Sequence, residues 1–140
     1  MIQLYRPVAA SIPITSDYGV RVHPVTGEPG KFHYGVDFGC PVGTPVVASV
    51  TGKIVRVGWQ NPNAPNEGFG KRIYQKAGNR LLYIVYAHLS EFEVNEGDFI
   101  VAGTRIALSG NTGASSGPHL HVEARLGSMT NRGAKIKWLQ

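Results

Sequence analysis

The sequence predicts a mostly β fold with little helix, and three observations carry that reading. No segment keeps an apolar period of 3.6 residues over three turns, whereas several short runs alternate or concentrate Val, Ile, Tyr and Phe. Glycine (18) and proline (9) exceed average usage in a chain of 140 residues, so turns must be frequent. With 42% hydrophobic and only 16% charged residues, the chain has the composition of a globular domain that needs neither disulfide nor metal to complete its core.

Taken in order, residues 1–12 form an N-terminal arm. The segment ITSDYGVRVHPVTGEPGKFHYGVDFG follows, and its turn signals at Pro24, Gly27, Pro29 and Gly30 predict loop rather than regular structure. Strands are expected at 45–50, 53–59, 72–76, 81–87, 99–102, 105–109 and 119–126, joined by turns at TG, AGN and AG. The Asn-, Pro- and Gly-rich stretch 58–71 is long for a loop in a compact domain, a length often associated with function. Residues 127–140 are a C-terminal tail, and the whole of 1–140 reads as one domain.

A net charge of +5 favours anionic partners, among them nucleic acid, anionic lipid and the acidic polymers of bacterial walls. Nucleic acid is disfavoured, because the basic residues are scattered rather than interleaved with aromatics, apart from a mildly basic end at Arg125, Arg132, Lys135 and Lys137. Membrane insertion is not expected, since no apolar run approaches the length of a span. Cys40 stands alone and reads as a buried thiol. The start lacks a basic segment followed by an apolar one, so action outside a cell would require a phage particle, release at lysis, or excision from a longer protein.

The chemistry concentrates in histidines. In GPHLHVEARL, Pro118 favours extended backbone, and strict alternation puts His119, His121, Glu123 and Arg125 on one face, with Leu120, Val122, Ala124 and Leu126 on the other. Residues two apart lie about 6.5–7 Å from one another, close enough for two imidazoles to meet one ion, although a solvated face carrying two histidines has the same pattern. His33 and Asp37, four apart, would be about 13 Å apart in a straight strand. They can share an ion only if the chain bends, and Gly35 is where a bend is cheapest. His88 ends the most hydrophobic run, LYIVYA, where it is either a site residue or a semi-buried histidine held by a carbonyl. His23, in RVHP, suits a role in tying down turns.

Together ITSDYGVRVHPVTG, FHYGVDFG, YAHLS, SGNTG and GPHLHVE, in this order and at these spacings, resemble the lysostaphin-type family of zinc peptidoglycan endopeptidases over roughly residues 13–126. The resemblance implies antiparallel sheets forming a groove floored by one zinc ion, with long loops as walls. It implies His33, Asp37 and His121 as metal ligands, and His88 and His119 as catalytic residues beside the metal. It implies peptidoglycan stem or bridge peptides as the partner and action at the bacterial cell wall; a monomer is expected. Relatives that have lost ligands serve as wall-binding or regulatory modules, but here all five positions are filled. Two neutral imidazoles and one carboxylate leave an open coordination position, the catalytic rather than structural pattern for zinc. No HExxH helix supplies a glutamate base, which leaves proton transfer to His88 or His119. Glu123, on the same face, is expected to support the site from behind or lie at the surface.

Overall fold

A computed structural model describes residues 2–22 and 29–139; His23 lies outside the described residues. The strands are β1 Ile2–Tyr5, β2 Ile14–Ser16, β3 Gly19–Val22, β4 Pro29–His33, β5 Val36–Gly39, β6 Pro45–Val47, β7 Gly52–Trp59, β8 Lys71–Ala77, β9 Leu82–Phe92, β10 Phe99–Ile100, β11 Arg105–Ser109, β12 His119–Leu126 and β13 Ile136–Leu139. Among the described residues there is no helix. The main sheet runs β10-β7-β8-β9-β12-β5-β2, with β11 joining β9 and β6 joining β11, and every pairing within it is antiparallel.

The alternating and apolar runs after residue 45 became strands close to their expected bounds. The 81–87 run extends to Phe92, while the 45–50 and 99–102 runs are cut to three and two residues. The 14–39 segment departs from the loop reading: it contains β2, β3, β4 and β5. These strands are three to five residues long. β5 is fixed by β12 far along the chain and in turn pairs with β2, while β3 and β4 pair with each other, arrangements that turn signals do not reveal. The arm and the tail also contain structure, because β1 pairs with β13 in parallel, Ile2 opposite Ile136.

Beneath the sheet lie Val36, Phe38, Ile84, Tyr86, Ile106, Leu120, Val122 and other buried apolar side chains, with Cys40 buried among them. Burying such side chains stabilises the fold by about 1.5–3 kcal/mol each. The opposite face of β12 is not solvated. His121, Glu123 and Arg125 are buried as well, since Phe69 of loop 58–71 and Arg132 of the tail cover them. A strand buried on both faces is ordinarily apolar throughout, and β12 looks half exposed in sequence because its second buried face is filled by mutually paired polar groups.

One irregularity positions the site. β12 pairs with β9 as far as His121 opposite Ala87, and β11 takes over from Ser109 opposite Leu89. Between the two, His88 has φ = 61°, the only non-glycine residue with positive φ among those described. The strand thus changes partner at His88, with Gly110 bridged to His119 across the junction.

Candidate active site

Strand register brings the first pair together. Asp37 on β5 lies directly opposite His121 on β12, and Asp37 Oδ1 is 2.9 Å from His121 Nδ1. His33 closes the group from the end of β4, with Nε2 3.3 Å from His121 Nδ1 and 3.4 Å from Asp37 Oδ1. The chain turns back between His33 and Asp37 at Tyr34 and Gly35. Gly35 is required there for space rather than for an unusual φ: a Cβ would lie 2.5 Å from the Val122 carbonyl oxygen and 2.7 Å from Cε1 of His121.

Each of four imidazoles is anchored through one nitrogen, which fixes its tautomer. His33 Nδ1 is 2.9 Å from the Asp17 carbonyl, His88 Nδ1 2.6 Å from the Thr112 carbonyl, and His119 Nδ1 2.9 Å from the Gly117 carbonyl. A carbonyl only accepts, so each Nδ1 carries the hydrogen and each Nε2 offers a lone pair. His121 is reversed. Its Nε2 donates to Glu123 Oε1 at 3.1 Å, leaving Nδ1 beside His33 Nε2 and Asp37 Oδ1, where it offers an electron pair to a shared ion or, when protonated, a hydrogen to Asp37. The rings of His88 and His119 sit 4.6 Å apart between centroids, and His119 Nε2 lies 3.8 Å from Asp37 Oδ1. The structure therefore gathers His33, Asp37, His88, His119 and His121 in one place.

His33 Nε2, Asp37 Oδ1 and His121 Nδ1 can hold a metal ion. A tetrahedral zinc with bonds of about 2.0–2.2 Å needs donor atoms about 3.3–3.6 Å apart. Two of the three separations match, and the third would open by about 0.4 Å. The residues present fit the ion in number, donor type and spacing.

The surroundings bias each group. Burial opposes ionisation of Asp37, but the contacts with His121 and His33, which donate to the carboxylate when those rings are protonated in the absence of metal, outweigh it and hold the carboxyl well below the usual carboxylate range. Burial also depresses His121, yet its bonds to Asp37 and Glu123 prevail and raise it. His88 is pushed down to about 4 by burial, against the opposing bond to Thr112, so it is neutral at neutral pH. Glu123, fully buried, is held down to about 2: burial works against ionisation, and the bonds from His121 and Arg132 with the nearby charges of Arg125 and Arg132 overcome it.

The site opens into a cleft of about 570 Å³ whose walls include Gln60, Phe69, Tyr74, Ser115, Ser116 and Arg132. Loop 58–71 supplies one wall and is fastened down. Phe69 accepts from His88 N at 2.8 Å, the Gly68 carbonyl accepts from Ala114 N at 2.8 Å, and the Pro65 carbonyl accepts from Gly113 N at 2.9 Å. Gly113, at φ = 79°, has no room for a Cβ against Gly68 and Gly70. The Phe69 ring stacks on His121 at 5.3 Å with 28° between planes.

Sequence reasoning missed Phe69, the Thr112 carbonyl and Arg132. An aromatic between two glycines in the polar loop, GFG, was the available signal for Phe69; SGNTG marked the turn around Thr112 without showing that its backbone mattered. Arg132 shows in the sequence only as part of a mildly basic end, with no signal that it reaches the site.

Residues 31–134 match the model of peptidase family M23. The chain is 43% identical over 118 residues to glycyl-glycine endopeptidase ALE-1 of Staphylococcus capitis, covering 84% of this chain and 31% of that protein. It is 40% identical over 118 residues to peptidoglycan DD-endopeptidase ShyA of Vibrio cholerae, covering 84% and 26%. The chain spans about a quarter of the length of the curated relatives it matches. Among solved structures, the catalytic domain of lysostaphin from Staphylococcus simulans superposes with a TM-score of 0.73 at 38% identity, covering 86% of this chain and 84% of that one. The antiparallel architecture, the His-Asp-His cluster and the extent of these matches agree: the chain belongs to peptidase family M23.

Proposed function

We propose that this chain is a zinc-dependent endopeptidase that hydrolyses peptide cross-links, or stem or bridge peptides, of peptidoglycan at the bacterial cell wall, working as a monomer. His33 Nε2, Asp37 Oδ1 and His121 Nδ1 hold the metal; His88 and His119 handle protons. The observation that carries the reading is the pairing of three donor atoms 2.9–3.4 Å apart with two further imidazoles whose Nε2 lone pairs are set by backbone carbonyls. Zinc bound there supplies a Lewis acid that polarises a peptide carbonyl and acidifies water. The protein does the rest. A neutral His88 or His119 accepts a proton through Nε2, and the same groups, once protonated, donate to the oxyanion or the departing amine. Glu123 and the Asp17 carbonyl orient the rings of His121 and His33 from behind. Phe69 shields one side of the site from water.

The rival reading is a wall-binding or regulatory module without turnover. Zinc content and turnover of one cross-linked peptide, measured together, separate the two. His88→Ala and His119→Ala are expected to keep most of the zinc and lose about 10²–10⁴ in kcat. If both variants matched wild-type turnover, or if zinc-loaded wild type released nothing from purified walls of any cross-link type, the enzymatic reading would be abandoned.

A further inference from the structure

Arg132 is held at the cleft by a carboxylate that already has a buried cation. Glu123 meets Arg125, whose side chain is 7% exposed, through Nε to Oε2 at 2.9 Å. Arg132, 45% exposed, adds Nη2 to Oε1 at 2.7 Å and Nε to Oε2 at 3.1 Å. One carboxylate between two permanently charged guanidiniums leaves a positive charge in excess, and the excess lies on the exposed partner. Arg125 directs its other donors inward, to Tyr74 Oη at 3.1 Å and to the Met129 carbonyl. Arg132 uses Nε and Nη2 on Glu123, and its Nη1 meets no protein acceptor among the described residues. Its guanidinium stands 4.6 Å from the Tyr34 ring centroid and 5.4 Å from that of Phe69, so its plane is set by the aromatic groups around it. It lines the same cleft as the five candidate site residues.

We infer that Arg132 binds a substrate carboxylate next to the scissile bond, and so favours a D-alanyl to diamino-acid cross-link over a glycine bridge. Where the diamino acid is a dicarboxylic one, the residue whose amine is acylated also bears a free carboxylate on the same carbon; a glycine bridge offers only backbone amides there. The inference rests on the endopeptidase reading of the same site. The reach is suitable. Arg132 is two hydrogen bonds, 2.7 and 3.1 Å, from the ring of His121, which puts the guanidinium within about 8 Å of His121 Nδ1. That distance is about two residues of extended peptide at ~3.3–3.6 Å each. A rigid fork with an unspent edge suits a carboxylate better than a neutral amide, and a charge-assisted bond of this kind corresponds to about a 10- to 100-fold preference.

The test uses two cross-linked peptides alike in every respect except that the carboxylate beside the acylated amine is free in one and amidated in the other. With zinc-loaded wild type, kcat/KM should favour the free acid about 10- to 100-fold, mainly through KM. In Arg132→Gln the ratio should collapse toward one. A role confined to propping Glu123 would instead reduce both peptides together and leave the ratio intact, and that result overturns the inference, as does a wild type that cuts both peptides equally well. Calorimetric binding of the two peptides to zinc-loaded His119→Ala protein gives a reading without turnover: tighter binding of the free acid is expected, and equal affinity or no binding refutes carboxylate recognition. Selective binding of the free acid, with neither peptide cut by wild type, would uphold the carboxylate site while rejecting the endopeptidase reading.

Discussion

Replacing Glu123 with leucine should destabilise the protein even without metal. The carboxylate is fully buried and accepts bonds from His121 Nε2, Arg125 Nε, and Arg132 Nε and Nη2. Removing it leaves Arg125 charged and almost wholly buried, and breaking one side of such a pair costs about 3–5 kcal/mol. An unsatisfied donor at His121 adds about 1–3 kcal/mol in isolation, and the exposed contact of Arg132 no more than about 1 kcal/mol. These effects overlap, so the expected total is about 4–6 kcal/mol, a large part of the 5–15 kcal/mol typical of a domain. In urea, with m of about 2 kcal/mol/M and chelator present throughout, the midpoint should fall by about 2–3 M. Glu123→Gln keeps an acceptor for His121 but not the charge, and should fall between wild type and Glu123→Leu. The group's folded pKa of about 2 lies below its ordinary 4.5, so its contribution is complete above about 4.5 and is lost as the pH falls through about 2. The gap between wild type and Glu123→Gln should close over that interval. A metal-free Glu123→Leu protein within about 1 kcal/mol of wild type would refute the buried-network reasoning.

His33→Ala, Asp37→Ala and His121→Ala should each lower zinc occupancy severely, measured as metal per chain after dialysis; full retention in all three would remove the proposed site. Gly35→Ala, whose new methyl would press on the Val122 carbonyl and the His121 ring, should cost about 1–3 kcal/mol and weaken zinc binding; a zinc titration indistinguishable from wild type would show that the close approach is not limiting. Raising salt should reduce activity on whole anionic walls far more than on a short neutral peptide, because the net +5 charge acts over a screening length of about 8–10 Å. Equal salt sensitivity would make that charge incidental.

What was legible in the sequence was whatever local periodicity or spacing could express. The strands from β7 to β12 announce themselves by alternation or apolar content, and HxH on an extended run places two imidazoles on one face whatever the fold. The strands β2 to β5 were hidden because they are short and crowded with turn residues, and because β5 is held by a partner far along the chain, Asp37 opposite His121, while β3 and β4 pair only with each other. The burial of Glu123 was hidden for a related reason: alternation tells which residues share a face, and only the return of loop 58–71 and the tail decides that this polar face is covered. Arg132 lay beyond any local rule, since its place at the cleft depends on a carboxylate nine positions earlier and on Tyr34 and Phe69 from two other segments.

The parallel pairing of β1 with β13 has a mechanical consequence. Ile2 faces Ile136 and Tyr5 faces Leu139, so the first strand begins at the end of the ladder opposite to where the last one finishes. Tension applied between residue 2 and residue 139 would drag the two strands past each other along their length. In that shear geometry the cross-strand bonds bear the load simultaneously, whereas an unzipping ladder yields them one at a time. The pair is therefore a clamp across the described chain: stretching must slide it before force reaches the sheet that carries the histidines.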